Sequence, residues 1–261
     1  MYSRERKLIP DILIKAYETC IKPYLDITIS VYEKGTNDIV TRCDLKSQEY
    51  IIEQLRSLFP SDSILAEENV ADEEAMSAGQ RTWVVDPIDG TVNFAAGVPI
   101  YGIQIALVED RLPVFAALYL PAFGEMYLAE KGQGATCNGE PIHVSADMTT
   151  AQSLVSFGDL SPRDADIRSA QLKNIPQLSE QIRRLRIFGA ACFDFISLAA
   201  GHTQAHVMYS HNPWDIFPGW LLVTEAGAVS DYDPLHPEAR IICAANPEIL
   251  NDLLNILNET K

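Results

Sequence analysis

The stretch Trp83-Val84-Val85-Asp86-Pro87-Ile88-Asp89-Gly90-Thr91 decides how the rest of the chain is read. Thr82 through Val85 are β-branched or aromatic residues of the kind that fill a buried strand, and Pro87 with Gly90 turn the chain directly after it. Two carboxylates, Asp86 and Asp89, are therefore expected on a stiff turn at a strand end. A site made of oxygen ligands suits hard cations such as magnesium or manganese, which keep several waters and often share a substrate phosphate.

Upstream of this stretch, Leu8, Ile9, Ile12, Leu13, Ala16, Tyr17 and Ile21 recur at helical spacing until Pro23, so an amphipathic helix opens the chain. A strand is expected over Ile27–Tyr32, a polar loop able to move over a ligand at Glu33–Asp38, and a second helix from Asp44 to Pro60. Short strands follow at Ile64–Ala66, Trp83–Asp86, Tyr101–Val108, Val114–Tyr119 and Glu125–Glu130, with no helix pattern between the later ones, which implies antiparallel neighbours. Asn138-Gly139 is a hairpin signal, and Gly132-Gln133-Gly134 is a turn with no helix after it, hence no phosphate loop.

Beyond residue 145 strands alternate with helices: strands at 153–157, 185–188, 204–208 and 241–244, helices at 176–183, 191–200, 215–226 and 247–257. The reading is α+β overall, with an N-terminal lobe (1–145) carrying most of the acids and an α/β lobe (146–261), and a site where the two meet.

Thirty-six acidic against twenty basic residues give a net charge of -16, which repels nucleic-acid backbones and requires that any phosphorylated substrate be met by bound cations. The five cysteines are widely spaced, without a C-x-x-C pair, and read as reduced thiols. The first twenty residues lack a continuous apolar run, so neither a signal peptide nor a membrane span is expected, and the cytoplasm is the expected compartment.

Three further places put an acid at the edge of an element: Asp44, Glu67-Glu68 after Ile64-Leu65-Ala66, and Asp215 after Pro213-Trp214. Singly, Asp44 and Asp215 read as helix caps or first-turn acids, and Glu68 as solvated. Together with WVVDPIDGTVNF (83–94), LAEEN (65–69), NDIVTRCD (37–44), the segments at 129–145 and 189–201, and PWDIFPGWLLVTEAGAV (213–229), they resemble the inositol monophosphatase superfamily over nearly the whole chain.

The resemblance implies a magnesium-dependent, lithium-sensitive phosphomonoesterase built as a layered αβαβα sandwich of the inositol monophosphatase and fructose-1,6-bisphosphatase type. It implies two or three magnesium ions per site, or manganese, held by Glu67, Asp86, Asp89, Asp215 and the carbonyl of Ile88. Asp44 with Thr91 is implied to orient and deprotonate the attacking water, Glu67 assisting through its metal. Asp89, Gly90, Thr91, Ala191, Met208 and Asp215 occupy the substrate-facing positions, with the Gly90 and Thr91 N–H groups toward phosphate. Homodimers are common in the family, and the apolar segment Tyr101–Leu107 is a candidate surface.

Met208 is a departure. Animal inositol monophosphatases place there a Glu that binds inositol hydroxyls, and a thioether cannot accept strong hydrogen bonds from a polyol. The substrate class is thus a small phosphorylated metabolite, with inositol monophosphate, fructose 1,6-bisphosphate, 3′-phosphoadenosine 5′-phosphate and histidinol phosphate as alternatives. His206, His211 and Asn212 flank the departure, although a lone His is more often a satisfied core or surface residue. Arg163, Arg168, Arg183 and Arg184 read as a solvated face. D-P-I-D lacks the D-x-D spacing of a phosphoenzyme-forming phosphatase, and no EF-hand loop is present. The alternative outside enzymes is a non-catalytic protein keeping the fold to bind a phosphate ligand or a partner; loss of a catalytic acid or of Thr91 would support it, and none is lost.

Overall fold

The computed structural model describes residues 2–25, 31–35, 38–68, 70–71, 76–77, 79–162 and 164–258. Helix α1 (Ser3–Ala16) widens into a π-turn (Tyr17–Ile21) and ends in a 3-10 turn (Lys22–Tyr24) that contains Pro23. Strands β1 (Val31–Gly35) and β2 (Asp38–Thr41) pair antiparallel and lead into α2 (Arg42–Leu58). Glu33 to Gly35 and Asp38, expected as loop, are therefore paired strand. A two-stranded ribbon forms its backbone hydrogen bonds whatever its side chains, so a polar run conceals it from a reading of apolar alternation. Residues 26–30, Thr36 and Asn37 lie outside the described residues.

Next come β3 (Ser63–Ala66), β4 (Val70–Ala71), β5 (Arg81–Asp89), the short α3 (Thr91–Ala95), β6 (Gly102–Glu109), β7 (Leu112–Leu120), β8 (Glu125–Glu130), β9 (Gly134–Cys137) and β10 (Glu140–Ile142). They form an eight-stranded sheet in the order β10-β9-β8-β7-β6-β5-β3-β4, antiparallel except for β3 beside β5. Asn138 and Gly139, both at positive φ, make the two-residue turn between β9 and β10. The remaining elements are β11 (Leu154–Phe157), α4 (Ala165–Gln181), β12 (Arg184–Arg186), α5 (Ala191–Ala199), β13 (Ala205–Tyr209), α6 (Pro213–Glu225), β14 (Val229–Ser230), β15 (Arg240–Ala244) and α7 (Pro247–Asn258). Their strands form a second sheet, β12-β11-β13-β15-β14, parallel among β12, β11 and β13.

Helix α4 begins well before the expected Pro176, because Asp164 caps the N–H groups of Asp166 and Ile167. Its buried positions are Gln171, Asn174 and Leu178, a mostly polar stripe without the apolar period that marks a helix in sequence.

Alternating side chains build three cores. Trp83 and Val85 of β5, Ile103, Ile105 and Leu107 of β6 and Phe115 of β7 face Ile9, Ile12 and Leu13 of α1 and Ile51, Ile52 and Leu55 of α2. On the opposite face, Val84, Ala106, Val108, Ala116 and Leu118 meet α5 and α6, which are covered in turn by Met208, Ile241 and Cys243 of the second sheet. That sheet's other face, with Val155, Phe157, Val207, Ile242 and Ala244, packs on Leu178 of α4 and Ile249 and Leu253 of α7. The result is an αβαβα sandwich, and it explains why β5 to β7 are nearly continuous apolar runs: both of their faces are buried. Each large side chain fully withdrawn there contributes about 1.5–3 kcal/mol.

The N–H groups of Gly132 and Gly134 donate to the two carboxylate oxygens of Glu225, each at 2.8 Å, so the glycine turn fastens β9 to the end of α6 and binds no phosphate. Strand β6 is interior and Tyr101 to Leu107 are all buried, so that segment offers neither an edge nor a surface to a second copy.

Candidate active site

The strand expected to turn after Asp86 continues to Asp89 through a bulge. Asp86 lies opposite Gln104 and Asp89 opposite Gly102, three steps on β5 against two on β6. The extra residue falls at Pro87-Ile88, where a proline is tolerated because ladder pairing is interrupted. In a regular strand residues three apart face opposite sides, and the bulge turns both carboxylates toward α5 and α6. The chain reverses only at Gly90, whose φ of 85° opens α3.

Asp86 is 1% exposed. Its Oδ2 accepts from the Gln104 amide at 3.3 Å, while Oδ1 has no partner among the described residues. Leaving a buried carboxylate oxygen unmatched is costly unless something outside the protein fills it. Asp89 accepts the Ala191 N–H at 3.2 Å and the Cys192 N–H by a shorter bond, so it completes the first turn of α5, where the helix dipole favours a negative charge.

Asp44 is fully buried at the third position of α2, where it forms a capping box with Thr41. Its capping role and its implied catalytic role use different oxygens: Oδ2 takes the Thr41 N–H at 2.9 Å, and Oδ1 takes the Thr91 hydroxyl at 2.9 Å. Thr91 Oγ is also 2.9 Å from the carbonyl oxygen of Ile88, so its single proton chooses between two acceptors. Asp215, in the first turn of α6, accepts from Ser210 Oγ and Asn212 Nδ2, both at 3.0 Å.

Glu67 follows β3, its N–H donating to the Val85 carbonyl at 3.2 Å, which docks it beside β5. Glu68, expected to be solvated, is buried at 7% exposure. The Gln48 side chain accepts its N–H at 2.9 Å and donates to its carbonyl at 3.0 Å, and this clamp from α2 fixes the orientation of the Glu67-Glu68 pair.

Five acids from four segments, Asp44 of α2, Glu67 after β3, Asp86 and Asp89 of β5 and Asp215 of α6, thus share one electrostatic neighbourhood. Burial, then the charges of Glu67, Asp89 and Asp215, push Asp86 well above the usual carboxylate range. Burial, then Asp89 and Glu67, push Asp215 up to about 7. Asp89 and Asp44 are also raised by burial, against the opposing pull of their hydrogen bonds. Among the described residues no three His, Cys, Asp or Glu side chains already form a cage at ligand spacing. Asp44, Asp86, Asp89 and Asp215 instead rest on protein donors. The donor set of carboxylates plus the Ile88 carbonyl, with the unmatched Asp86 oxygen among them, fits a hard divalent cation.

The raised carboxylates make the metal-free protein bind more protons folded than unfolded between about pH 4 and pH 7. Stability is then greatest at the acid end of that window and falls as pH rises through it. One such group, Asp215, changes stability by about 1.4 kcal/mol per pH unit, equivalent to ~3–5 °C in Tm for a domain of this size. Scanning calorimetry in chelator should show that decline, and excess magnesium should reverse it by pairing the same charges. A metal-free Tm that rises from pH 5 to pH 7 would contradict it.

The sequence reading missed the residues that hold this site. Asn93 Nδ2 lies within hydrogen-bond distance of the carbonyls of Ile100 (2.9 Å), Phe188 (2.8 Å) and Gly189 (3.2 Å), tying α3 to the loop that starts α5. Its place within WVVDPIDGTVNF was the available signal. Gln104, Gln48 and Ser210 carry no such mark. Of the substrate-facing positions, Ala191 is half-buried with its N–H committed to Asp89, and Met208 is 5% exposed within the middle core. His206 is fully buried with Nδ1 2.8 Å from Ser156 Oγ, a core residue, whereas His211 is exposed. Arg168, Arg183 and Arg184 are exposed, and Arg163 lies outside the described residues.

An αβαβα sandwich with acids converging on a bulged strand end, beside a carboxylate–threonine pair, defines a metal-dependent phosphomonoesterase. A profile of the inositol monophosphatase family matches residues 11–260, and the chain belongs to that family. An inositol monophosphatase of Dictyostelium discoideum is 35% identical over 246 residues, 92% of this chain and 89% of the relative. The crystal structure of the extragenic suppressor protein suhB from Bartonella henselae superposes with a TM-score of 0.90 at 27% identity, covering 99% of this chain and 100% of that one. An IMPase/NADP phosphatase solved with Mg2+ and phosphate gives 0.83 at 25% identity, over 98% and 95% of the two chains.

Proposed function

We propose that the chain hydrolyses a small sugar or polyol phosphomonoester, with magnesium held by Glu67, Asp86, Asp89, Asp215 and the Ile88 carbonyl in two or three positions. The observation that carries this reading is the Thr91 hydroxyl set between Asp44 and Ile88, together with the unmatched buried oxygen of Asp86. When bound, the cation supplies the Lewis acidity and charge neutralisation that a carboxylate cluster lacks. Thr91 donates to Asp44 and turns its oxygen lone pairs toward an attacking water. As the water gives its proton to Thr91 Oγ, the Thr91 hydroxyl proton passes to Asp44, whose carboxyl is raised above the usual range by burial. The N–H groups of Gly90 and Thr91 are assigned to the phosphoryl oxygens, and Asp89 and Asp215 to the alcohol side of the site.

Residues 1–145 and 146–261 act in this reading as two lobes, with Asp89 bonded across their joint to α5. Lithium, competing for a magnesium position, is expected to inhibit. A homodimer and a cytoplasmic location belong to the same proposal; the latter is supported by five unpaired cysteines, and among the described residues no helix is long and apolar enough to cross a membrane.

The test is phosphate release from a panel comprising inositol 1-phosphate, fructose 1,6-bisphosphate, 3′-phosphoadenosine 5′-phosphate, histidinol phosphate and 4-nitrophenyl phosphate, with magnesium, with manganese and in chelator. Turnover that depends on the cation and falls with lithium supports the assignment. Equal turnover in chelator would remove it.

A further inference from the structure

Strands β11 and β13 run parallel with Phe157 opposite Val207, and the Gly158 N–H extends the ladder to the Val207 carbonyl at 2.8 Å. Gly158 therefore lies against Met208, and a Cβ placed on it would stand 3.1 Å from Met208 Cβ. The next residue is Asp159. Its carbonyl accepts from Gln171 Nε2 at 2.8 Å, and the N–H of Ser161 donates to Gln171 Oε1 at 2.7 Å. Gln171 is itself fully buried on α4, so the exit from β11 is pinned at two points and the Asp159 backbone is fixed.

The Asp159 carboxylate has no hydrogen-bond or ion-pair partner among the described residues, although the backbone beneath it is so firmly held. Solvent reaches it, yet the protein around it removes enough water to raise its carboxyl above the usual range, with no charge among the described residues contributing. Its field extends to Asp194 on α5, a residue that Asp89 also reaches.

We propose that Asp159 replaces the carboxylate missing at Met208: from the neighbouring strand it accepts a hydrogen bond from a donor group on the leaving alcohol. A carboxylate only accepts, so the group it selects is a hydroxyl or an ammonium. The inference rests on the phosphomonoesterase reading above and adds the determinant of which alcohol is taken.

The test compares wild type, Asp159→Asn and Asp159→Leu on three classes of ester. These are inositol 1-phosphate and glycerol 2-phosphate for hydroxyl donors, histidinol phosphate and phosphoethanolamine for ammonium donors, and 4-nitrophenyl phosphate, whose alcohol part has no donor. For the favoured donor class, D159L should raise KM roughly 10- to 100-fold, the loss expected for a hydrogen bond to a charged group, with kcat within about twofold. 4-Nitrophenyl phosphate should be unaffected, and Tm unchanged. Asparagine should partly rescue a hydroxyl substrate but not an ammonium one, which separates the two donors. Unchanged KM for every donor-bearing ester, or equal losses that include 4-nitrophenyl phosphate, would overturn the proposal. Wild-type protein that hydrolyses none of the esters would sink the underlying phosphatase reading instead.

Discussion

Asp86→Asn is expected to lower metal-dependent phosphate release by about a thousandfold while making the metal-free protein more stable. Asp86 is the most deeply buried of the four carboxylates proposed to hold the cation and faces the charges of Glu67, Asp89 and Asp215. Its amide isostere keeps the Gln104 contact through oxygen but turns an uncharged NH2 toward the position where a cation belongs. Losing a ligand from such a centre removes several kcal/mol of transition-state charge stabilisation, and ~4 kcal/mol corresponds to a factor of about 10³. The same change removes one of several repelling charges, so the metal-free melting temperature near pH 8 should rise. Measuring turnover, magnesium affinity by calorimetry and Tm in chelator on one preparation separates these effects. Near-normal turnover would show that Asp86 is scaffold, and a large fall in metal-free Tm would show that its charge is paired by something other than a cation.

Gly90→Ala is expected to destabilise the fold by roughly 2–5 kcal/mol, adding the cost of a left-handed backbone to that of overpacking. Gly90 has φ 85°, and an added Cβ would lie 2.8 Å from Ala190 Cβ, 3.0 Å from the Ile100 carbonyl and 3.3 Å from the Gly189 carbonyl. Two of those neighbours are backbone oxygens and the third belongs to the loop before α5, so relief requires the 86–91 segment to move away from that loop. Such movement disturbs both the Thr91–Asp44 bond and the Asp89 contacts to α5, so turnover should fall together with stability. Gly97→Ala is the matched control, since its φ is also positive, 73°, but open space surrounds it. Denaturant unfolding should show a modest loss for Gly97→Ala and a much larger one for Gly90→Ala. Equal losses would mean that only backbone strain matters here.

Much of this architecture is legible in the chain because it follows from local chemistry. Thr82 to Val85 form strand since β-branched and aromatic side chains fit a pleated surface buried on both faces. Asn138-Gly139 turns as expected because both residues adopt positive φ readily. The acids of the site were visible as acids at element edges. Their partners were not, because hydrogen bonding between distant residues leaves no periodic trace. Gln48 burying the backbone of Glu68 and Glu225 filling the glycine turn at 132–134 are pairings of this kind. Helix α4 was half missed for a related reason, its buried stripe being polar.

By itself the sequence determined the family, the layered alternation of elements and the hard-oxygen character of the site. Those depend on side-chain type and spacing, which folding does not alter. Only the tertiary structure decided that the strand carries a bulge rather than a turn after Asp86, so that Asp86 and Asp89 share a face. It alone brought Thr91 onto the Asp44 oxygen that helix capping leaves open, and set Gly158, the residue before the pinned Asp159, against Met208. These juxtapositions follow from sheet register and layer packing, which are settled by the summed burial of three cores and cannot be read from any one segment.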